Sequence, residues 1–203
     1  MYSGGGKRAL DAAAAAVLLL ILLPLLLLVA LAVRAGLGAP VLFRQERAGA
    51  GGRPFALLKF RTMRAAAGED AARLTRLGRL LRALALDELP QLLHILRGEM
   101  SLVGPRPLPV AYLALYTPRE ALRLGVRPGL CGLAQSMGRN AVPWAERLEW
   151  DARYAEAPPT LPGDLRILAR CLAVLARGEG VAAPGHATMP GLTPDRGAPK
   201  AGP

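Results

Sequence analysis

Residues 12–33 read AAAAAVLLLILLPLLLLVALAV, an apolar run that contains no charged side chain. As a straight helix with a rise of about 1.5 Å per residue, this run extends roughly 33 Å, which is enough to cross the hydrocarbon core of a bilayer. It is too long for the apolar region of a typical signal peptide, and residues 33–36 (VRAG) make a poor cleavage site. The run therefore predicts a membrane helix that stays attached to the protein.

Pro24 lies near the middle of this run, where it lacks an amide hydrogen and its ring crowds the preceding turn, so we expect a kink or break there. Basic residues flank both ends, with Lys7 and Arg8 before the run and Arg34 after it, so the positive-inside rule favours neither orientation. Two topologies stay open over residues 7–34: a re-entrant helix-break-helix with both ends in the cytoplasm, which we favour, and an ordinary spanning helix. Labelling of a cysteine tag placed before the run distinguishes them.

Charge and composition narrow the classes of partner. Lysine and arginine number 26 against 15 acidic residues, a formal net charge of +11, which favours anionic lipids, phosphates or nucleic acid. Aromatic residues make up only 4% of the chain and no nucleic-acid module is recognisable, so we expect no nucleic-acid partner. Cys131 and Cys171 match no zinc or disulfide pattern and are expected to be free thiols in a reducing compartment.

The remainder of the sequence predicts a mainly α-helical domain over residues 35–180 with one short β-hairpin. Two β-prone runs, 41–47 and 55–61, flank a turn rich in glycine. Arginines recur about one helical turn apart over 73–84 and predict a basic amphipathic helix, which lies on anionic headgroups or forms a solvated face. Further helical patterns span 86–97, 109–124, 144–154 and 163–177. The ends, 1–6 and 181–203, lack apolar periodicity, so we expect disorder there.

Adjacent carboxylates give the sharpest chemical signal. Asp87 and Glu88 stand in the hexapeptide LDELPQ (residues 86–91), and Pro90 fits only near the start of a helix. The acidic pair therefore occupies a first helical turn, where free amides and the helix dipole favour anions. Such a pair alone is also explained as acids that complement a helix dipole, so its role depends on the motifs around it.

Five motifs occur in order along the chain: KRxxD at 7–11, KFRTM at 59–63, LDELPQ at 86–91, GEMSLVGPRP at 98–107 and RPGLCGLAQ at 127–135. This set resembles the bacterial sugar transferase family, the monotopic phosphoglycosyl transferases that initiate polysaccharide, exopolysaccharide, O-antigen, capsule or protein-glycan assembly. The resemblance covers nearly all of residues 7–177. It implies a re-entrant, proline-broken membrane helix and a small catalytic domain on the cytoplasmic face of the bacterial inner membrane.

The resemblance also implies a reaction. A sugar 1-phosphate passes from a UDP-sugar to a polyprenol (undecaprenyl) phosphate, and UMP is released. By position in the motif, Asp87 corresponds to the nucleophile that forms an aspartyl-phosphosugar intermediate, and Glu88 to its partner in the dyad, which binds the cofactor Mg²⁺. Downstream glycosyltransferases are further candidate partners. The alternative function is a non-catalytic membrane scaffold that binds nucleotide sugar or glycosyltransferases.

Basic and amide side chains of the motifs are candidates for substrate binding. Arg106 stands between two prolines that restrict its backbone, which suits a bidentate phosphate clamp. Lys59 and Arg61 alternate on a strand-like run and share one face, so both are expected at an anionic pocket. Arg127 and Gln135 resemble a family loop that shapes the nucleotide-sugar site. Each position also has an alternative reading. Lys59 and Arg61 could be solvated charges on a strand, and Arg106 could form a surface ion pair. The loop with Arg127 and Gln135 could be a plain turn.

Some positions depart from the family pattern. Ala85 replaces a usual Ser or Thr before the acidic pair, Glu99 replaces an Asp, and Cys131 replaces a Thr, which leaves the sugar specificity open. His94 stands where many relatives carry Asn, and we expect it to be a packed structural histidine. Asp164 matches a family acidic position, and a helix N-cap explains it equally well.

Overall fold

The structure is a computed structural model that describes residues 2–65, 69–183, 186 and 188–194. The helices are α1 (Lys7–Leu37), α2 (Asp70–Arg73), α3 (Arg76–Ala83), α4 (Leu92–Arg97), α5 (Pro118–Ala121), α6 (Leu133–Ser136), α7 (Trp144–Glu156) and α8 (Leu161–Ala176). The strands are β1 (Leu42–Ala48), β2 (Pro54–Phe60), β3 (Ser101–Val103) and β4 (Gly129–Cys131). Short 3-10 turns lie at Ala50–Gly52, Leu86–Gln91, Val110–Leu115, Leu122–Gly125 and Arg139–Ala141. This architecture confirms a mainly helical chain with a short hairpin.

Helix α1 is the one described helix that is long and apolar enough to cross a membrane. It continues through Pro24 without interruption, so the predicted helix-break-helix is wrong as a description of its secondary structure. The proline removes a single amide donor, and its fixed φ is itself helical, so 31 residues of helix absorb the loss. Many of its leucines, such as Leu20 and Leu31, are exposed, whereas Val29 and Val33 pack into the domain. The re-entrant topology stays a prediction.

The first turns of α1 are fastened to the domain by polar contacts. Asp11 accepts a hydrogen bond from Ser101 Oγ at 2.5 Å, and Lys7 Nζ lies 2.5 Å from Asp164 Oδ2. Tyr2 also donates to Asp164, at 2.6 Å, and Tyr2–Gly6 form a π-helical turn within the segment 1–6 that was predicted to be disordered. Asp164 lies inside α8 and is buried, so the alternative of a helix N-cap is wrong there. That cap is Thr160, whose Oγ1 accepts from Gly163 N.

The predicted hairpin is confirmed by the antiparallel pairing of β1 and β2, with Leu42 opposite Phe60. His94 holds this hairpin to α4 because its Nε2 accepts a hydrogen bond from Leu58 N at 3.0 Å. Its Nδ1 lies 2.7 Å from Glu99 Oε2 and, in this tautomer, donates to it. The ring is 1% exposed and packs edge-on against Phe55. His94 is therefore a structural histidine, as expected.

Other predicted helices are divided. The basic helix predicted over 73–84 becomes α2 and α3, because Thr75 adopts an extended conformation and caps α3 through a hydrogen bond from Gly78 N. The helix predicted over 109–124 becomes two 3-10 turns around α5, since Thr117 and Glu120 form a capping box that starts a new helix. The predicted 86–97 helix begins as a 3-10 turn and continues as α4.

A parallel pair of strands, β3 and β4, has no counterpart in the sequence analysis. Ser101 pairs with Gly129 and Val103 with Cys131, which brings the motifs at 98–107 and 127–135 side by side. The backbones touch after β3, since a Cβ on Gly129 would stand 2.1 Å from Gly104 N. Only glycine permits this approach. The two motifs are thus joined by backbone contact.

Residues 188–194 of the C-terminal segment, which lie in the stretch 181–203 predicted to be disordered, contact the domain in the structure. Leu192 is 5% exposed and packs in an apolar cluster with Leu108 and Leu148. Its amide donates a hydrogen bond to Tyr112 Oη at 3.0 Å. The prediction for residues 184, 185, 187 and 195–203 lies outside the described residues. The sequence contains no pattern that predicts this packing, because a single buried leucine has no apolar periodicity around it.

Candidate functional site

The acidic pair lies on the 3-10 turn Leu86–Gln91, which follows a left-handed residue, Ala85, at φ +53°. Both Asp87 and Glu88 line a cavity of about 1150 Å³. The turn packs against β2, which brings Lys59 to the same cavity. The predicted first-turn placement of the carboxylates is therefore correct, although the turn is 3-10 and not α-helical.

Glu88 forms the centre of an ion-pair cluster. Lys59 Nζ donates to Glu88 Oε1 at 2.7 Å, and Arg106 Nη1 donates to Glu88 Oε2 at 3.2 Å while its Nη2 donates to Oε1. Burial opposes ionisation of the carboxyl, but the positive charges of Arg106 and Lys59 outweigh it and hold the pKa of Glu88 well below its usual range. Glu88 is therefore a fixed negative charge.

Asp87 is adjacent to Glu88 in the chain, but its pKa is shifted in the opposite direction. Burial and the negative charge of Glu88 raise the pKa of Asp87 to about 6, against the lowering effect of Lys59, Arg82 and Arg106. A partly desolvated carboxylate whose pKa lies near neutral pH is a stronger nucleophile than one fully paired with cations. Of the two carboxylates, Asp87 is thus the one suited to attack.

The cavity wall is strongly cationic. Ten lysine and arginine residues line it against three acidic residues, Asp70, Asp87 and Glu88. Seven of the ten were not singled out from the sequence as site residues: Arg44, Arg47, Arg64, Arg73, Arg82, Arg139 and Arg147. Arg82 belongs to the amphipathic pattern but donates its Nε–H to Thr62 Oγ1 at 3.0 Å and so points inward. The wall suits a ligand with several negative charges, such as a diphosphate.

Of the predicted substrate-binding residues, Lys59, Arg106 and Gln135 line the cavity. Gln135 donates to Leu130 O at 3.3 Å, and its buried Oε1 has no partner among the described residues, which leaves an acceptor available to a ligand.

Arg61 and Arg127 have other partners. Arg61 lines the cavity edge, but its guanidinium donates to the carbonyls of Gly38 at 2.7 Å and Ala39 at 3.1 Å, and so caps the end of α1. Arg127 is exposed, donates to Gly98 O at 3.0 Å and is not among the residues that line the cavity, so its predicted binding role stays a prediction. The buried Pro128 and Gly129 that follow hold the loop, so Arg127 is directed outward.

Arg106 is itself positioned by a buried residue that the sequence did not indicate. Arg123 Nη2 donates to the backbone carbonyl of Arg106 at 2.6 Å and to Asp151 Oδ2 at 2.7 Å. Its Nη1 donates to Tyr116 Oη at 2.9 Å. Arg123 and Asp151 are 28 positions apart, so no local pattern could reveal the pair.

The donor set for a metal ion consists of the two adjacent carboxylates. Within residues 2–65, 69–183, 186 and 188–194, no group of three His, Cys, Asp or Glu side chains could hold a metal by itself. Mg²⁺ is commonly bound by one or two carboxylates together with substrate phosphates. Asp87 and Glu88 therefore fit an ion that is shared with a phosphate ligand, although Glu88 already engages Lys59 and Arg106.

Cys131 and Cys171 both line the cavity and are free thiols. Cys171 Sγ lies 3.6 Å from Gly132 O, so α8 contacts the loop after β4 at this point. A hydrogen bond with Cys171 and burial raise the pKa of the Cys131 thiol, whereas that same hydrogen bond lowers the pKa of Cys171. The thiols are part of the site wall, and no local sequence pattern indicated that they lie close together.

Comparisons with known proteins support the family resemblance that the motifs indicate. The sequence model of the family described as "Bacterial sugar transferase" matches residues 2–178. The uncharacterized sugar transferase EpsL of Bacillus subtilis is 46% identical over 79% of this chain and 82% of its own length. The UDP-glucose:undecaprenyl-phosphate glucose-1-phosphate transferase of Caulobacter vibrioides is 52% identical over 65% of this chain and 54% of its own length, so the chain spans about half of that relative. The exopolysaccharide production protein ExoY of Rhizobium meliloti is 42% identical over 74% of this chain and 76% of its own length.

Proposed function

The chain belongs to the bacterial sugar transferase family, and we propose that it transfers a sugar 1-phosphate from a UDP-sugar to undecaprenyl phosphate. The observation that carries the proposal is the pair of adjacent carboxylates whose pKa values are shifted in opposite directions, in a cavity lined by ten basic residues. Relatives named as glucose-1-phosphate transferases and exopolysaccharide proteins support the same reaction class. The product would start the membrane stage of bacterial polysaccharide or glycoconjugate assembly.

In the first step, the carboxylate of Asp87 attacks the β-phosphorus of the UDP-sugar. A bond forms between an Asp87 oxygen and that phosphorus, and the bond from phosphorus to the oxygen bridging to the α-phosphate breaks. UMP leaves with the bonding electrons, and the sugar phosphate stays on Asp87 as an acyl phosphate. The division of one transfer into two displacements allows one cationic site to serve both substrates.

In the second step, a phosphate oxygen of undecaprenyl phosphate attacks the same phosphorus. The bond to Asp87 breaks, its carboxylate is regenerated, and the product is an undecaprenyl diphosphate sugar. Arg106 and Lys59 hold Glu88 as a fixed anion and present the remaining donors of their charged groups to the phosphates. The buried Arg123 fixes the backbone of Arg106, so the guanidinium is positioned before substrate arrives.

Mg²⁺ held by Glu88 and Asp87 together with the diphosphate would neutralise the negative charge that otherwise repels an anionic nucleophile. Among the residues that the structure describes, the donor set without substrate is too small for a dedicated metal cage. We therefore expect the ion to bind together with the nucleotide sugar, and the reaction to stop when EDTA removes it.

The cavity adjoins the apolar helix, which suits a lipid substrate. Arg61 lines the cavity edge and also caps the end of α1, whose leucines are exposed. A polyprenol tail stays in the bilayer because exposure of its hydrocarbon to water is costly. We propose that the domain lies on the cytoplasmic face of the inner membrane and that α1 enters the bilayer as a re-entrant element. Labelling of a cysteine tag before Lys7 from the periplasmic side would contradict this topology.

The test uses detergent-solubilised protein with radiolabelled UDP-glucose and other UDP-sugars, Mg²⁺ and undecaprenyl phosphate. We expect UMP release and a labelled lipid product from the wild type, and loss of at least about a thousandfold in rate for Asp87→Asn, because the amide is not a nucleophile. A labelled acyl phosphate at Asp87 should accumulate when undecaprenyl phosphate is omitted. Binding of UDP-sugar without UMP release from any donor would instead favour the non-catalytic scaffold.

A further inference from the structure

The strap, defined here as residues 188–194, lies outside the family match, which ends at residue 178. Nevertheless Thr188, Met189 and Pro190 line the same cavity as Asp87 and Glu88. This segment therefore adds to the site a wall that lies outside the residues matched by the family model.

One end of the strap is anchored in the domain core. Leu192 is buried with Leu108 and Leu148, and its amide donates to Tyr112 Oη at 3.0 Å. Pro190 O accepts a hydrogen bond from Trp144 Nε1 at 3.0 Å. These contacts combine apolar burial with two directional hydrogen bonds, so the position of the strap on the domain is specified.

At the other end of the strap, the hydrogen bond that the described residues show lies at the surface. Thr188 Oγ1 donates to Asp70 Oδ2 at 2.9 Å, and the Asp70 side chain is about half exposed. Asp70 belongs to α2 and also lines the cavity. The strap thus links the α7 side of the cavity to α2, with a firm anchor at Leu192 and a weak, water-accessible contact at Thr188.

The chemistry of this wall differs from that of the rest of the cavity. Met189 and Pro190 are apolar, and the neighbouring Trp144 and Tyr112 are aromatic rings in edge-to-face contact at 5.8 Å. The cationic residues accommodate the phosphates, so an apolar and aromatic wall suits the uncharged ring that a phosphate donor also carries. Arg147, another cavity residue, stacks on Trp144 at 5.1 Å and joins the two parts of the wall.

We propose that the strap binds the uncharged ring of the nucleotide-sugar donor and sets donor selectivity, with Met189 as the contacting side chain. The inference rests on the proposed function, since it concerns the donor of that reaction. Two rings share the required chemistry, the uracil and the sugar, and the test separates them.

The experiment compares full-length Met189→Ala with wild type, and uses Met137→Ala as the matched control because Met137 is exposed and does not line the cavity. We expect Met189→Ala to raise the KM for UDP-glucose about tenfold with kcat within about twofold, since a lost apolar contact weakens binding by that order. Met137→Ala should leave both constants unchanged. An unchanged KM for Met189→Ala would overturn the proposal.

A binding measurement keeps this test independent of turnover. Trp150→Phe leaves Trp144 as the sole tryptophan of the chain, and its emission reports on the strap through the contact with Pro190. We expect UDP-glucose to change this emission and Met189→Ala to weaken the titration about tenfold. Equal weakening with UMP identifies the uracil ring, and weakening with UDP-glucose alone identifies the sugar. An absence of any Trp144 response would overturn the proposal, whereas a response without UMP release would contradict only the proposed reaction.

Discussion

Two carboxylate–guanidinium clusters meet at Arg106 and differ in one physical respect. In the first, Glu88 pairs with Arg106 and Lys59 at the cavity wall, with side chains 14 to 29% exposed. In the second, Asp151 pairs with Arg123, and both side chains are at most 5% exposed. The first cluster can exchange partners with an anionic ligand, whereas the second is sealed. The comparison separates the partly exposed ion pairs of Glu88, which are accessible to a ligand, from the buried ion pair that holds Arg106 in place.

The largest expected effect follows from disruption of the buried ion pair between Arg123 and Asp151. Arg123→Ala leaves Asp151 as an unpaired buried charge and also releases the carbonyl of Arg106, so we expect a loss of about 3–5 kcal/mol in the free energy of unfolding. Denaturant unfolding in detergent measures it. Arg119→Ala is the matched control, because Arg119 pairs with Glu149 and Glu156 at the surface, where solvent screens the pairs, so its loss should be much smaller. Equal losses for the two variants would remove the distinction between sealed and open clusters.

The next effect sharpens the description of the open cluster. Because the pKa of Asp87 is raised to about 6 and its ionised form is the proposed nucleophile, the rate of UMP release should rise about tenfold per pH unit below pH 6 and level off above pH 7. Arg82 favours the ionised form of Asp87, so Arg82→Gln should move the midpoint to higher pH.

Arg79→Gln is the control for this measurement, since Arg79 lies one turn earlier on α3 and is exposed. Its pH profile should match that of the wild type. A profile that stays flat from pH 5 to 8 in the wild type would mean that Asp87 does not limit the reaction through its ionisation.

The smallest expected effect concerns the backbone that carries the open cluster. Ala85 adopts φ +53° immediately before the turn that holds Asp87 and Glu88, a conformation that costs an L-residue about 1 kcal/mol or more. Ala85→Gly should therefore stabilise the protein by about 1 kcal/mol in thermal or denaturant unfolding. Ala83→Gly, in α3, should destabilise it by a similar amount. A destabilising Ala85→Gly would show that the methyl group contributes more through packing than it costs in strain.

The sequence predicted those parts of the molecule that depend on local patterns. The apolar run predicted α1, and the two β-prone runs predicted the hairpin. The hexapeptide LDELPQ predicted the helical turn that carries Asp87 and Glu88. It failed where contacts are distant in the chain. The parallel pairing of β3 with β4 joins segments 28 positions apart, and a three-residue strand carries no periodicity that could announce it.

Side-chain direction was the second source of error. The motif at 59–61 placed two cations on one face, but the end of α1 presents free carbonyls that engage Arg61, while Lys59 reaches Glu88. The arginine stripe suggested a surface for headgroups, yet Arg82 is turned towards Thr62 and the cavity. A residue type at a given spacing indicates which groups are available, and the partners that they engage depend on the tertiary packing.

The inner face of α1 has a practical consequence. Val29 and Val33 share an apolar cluster with Phe60 and Leu81, and Ala15 packs with Leu57 and Ile95. A fragment that starts after Leu37 would therefore lack part of its own interior and would expose the vacated apolar surface to water. A fragment from which α1 has been deleted should therefore aggregate in water. Purification has to retain α1 and to supply lipid or detergent.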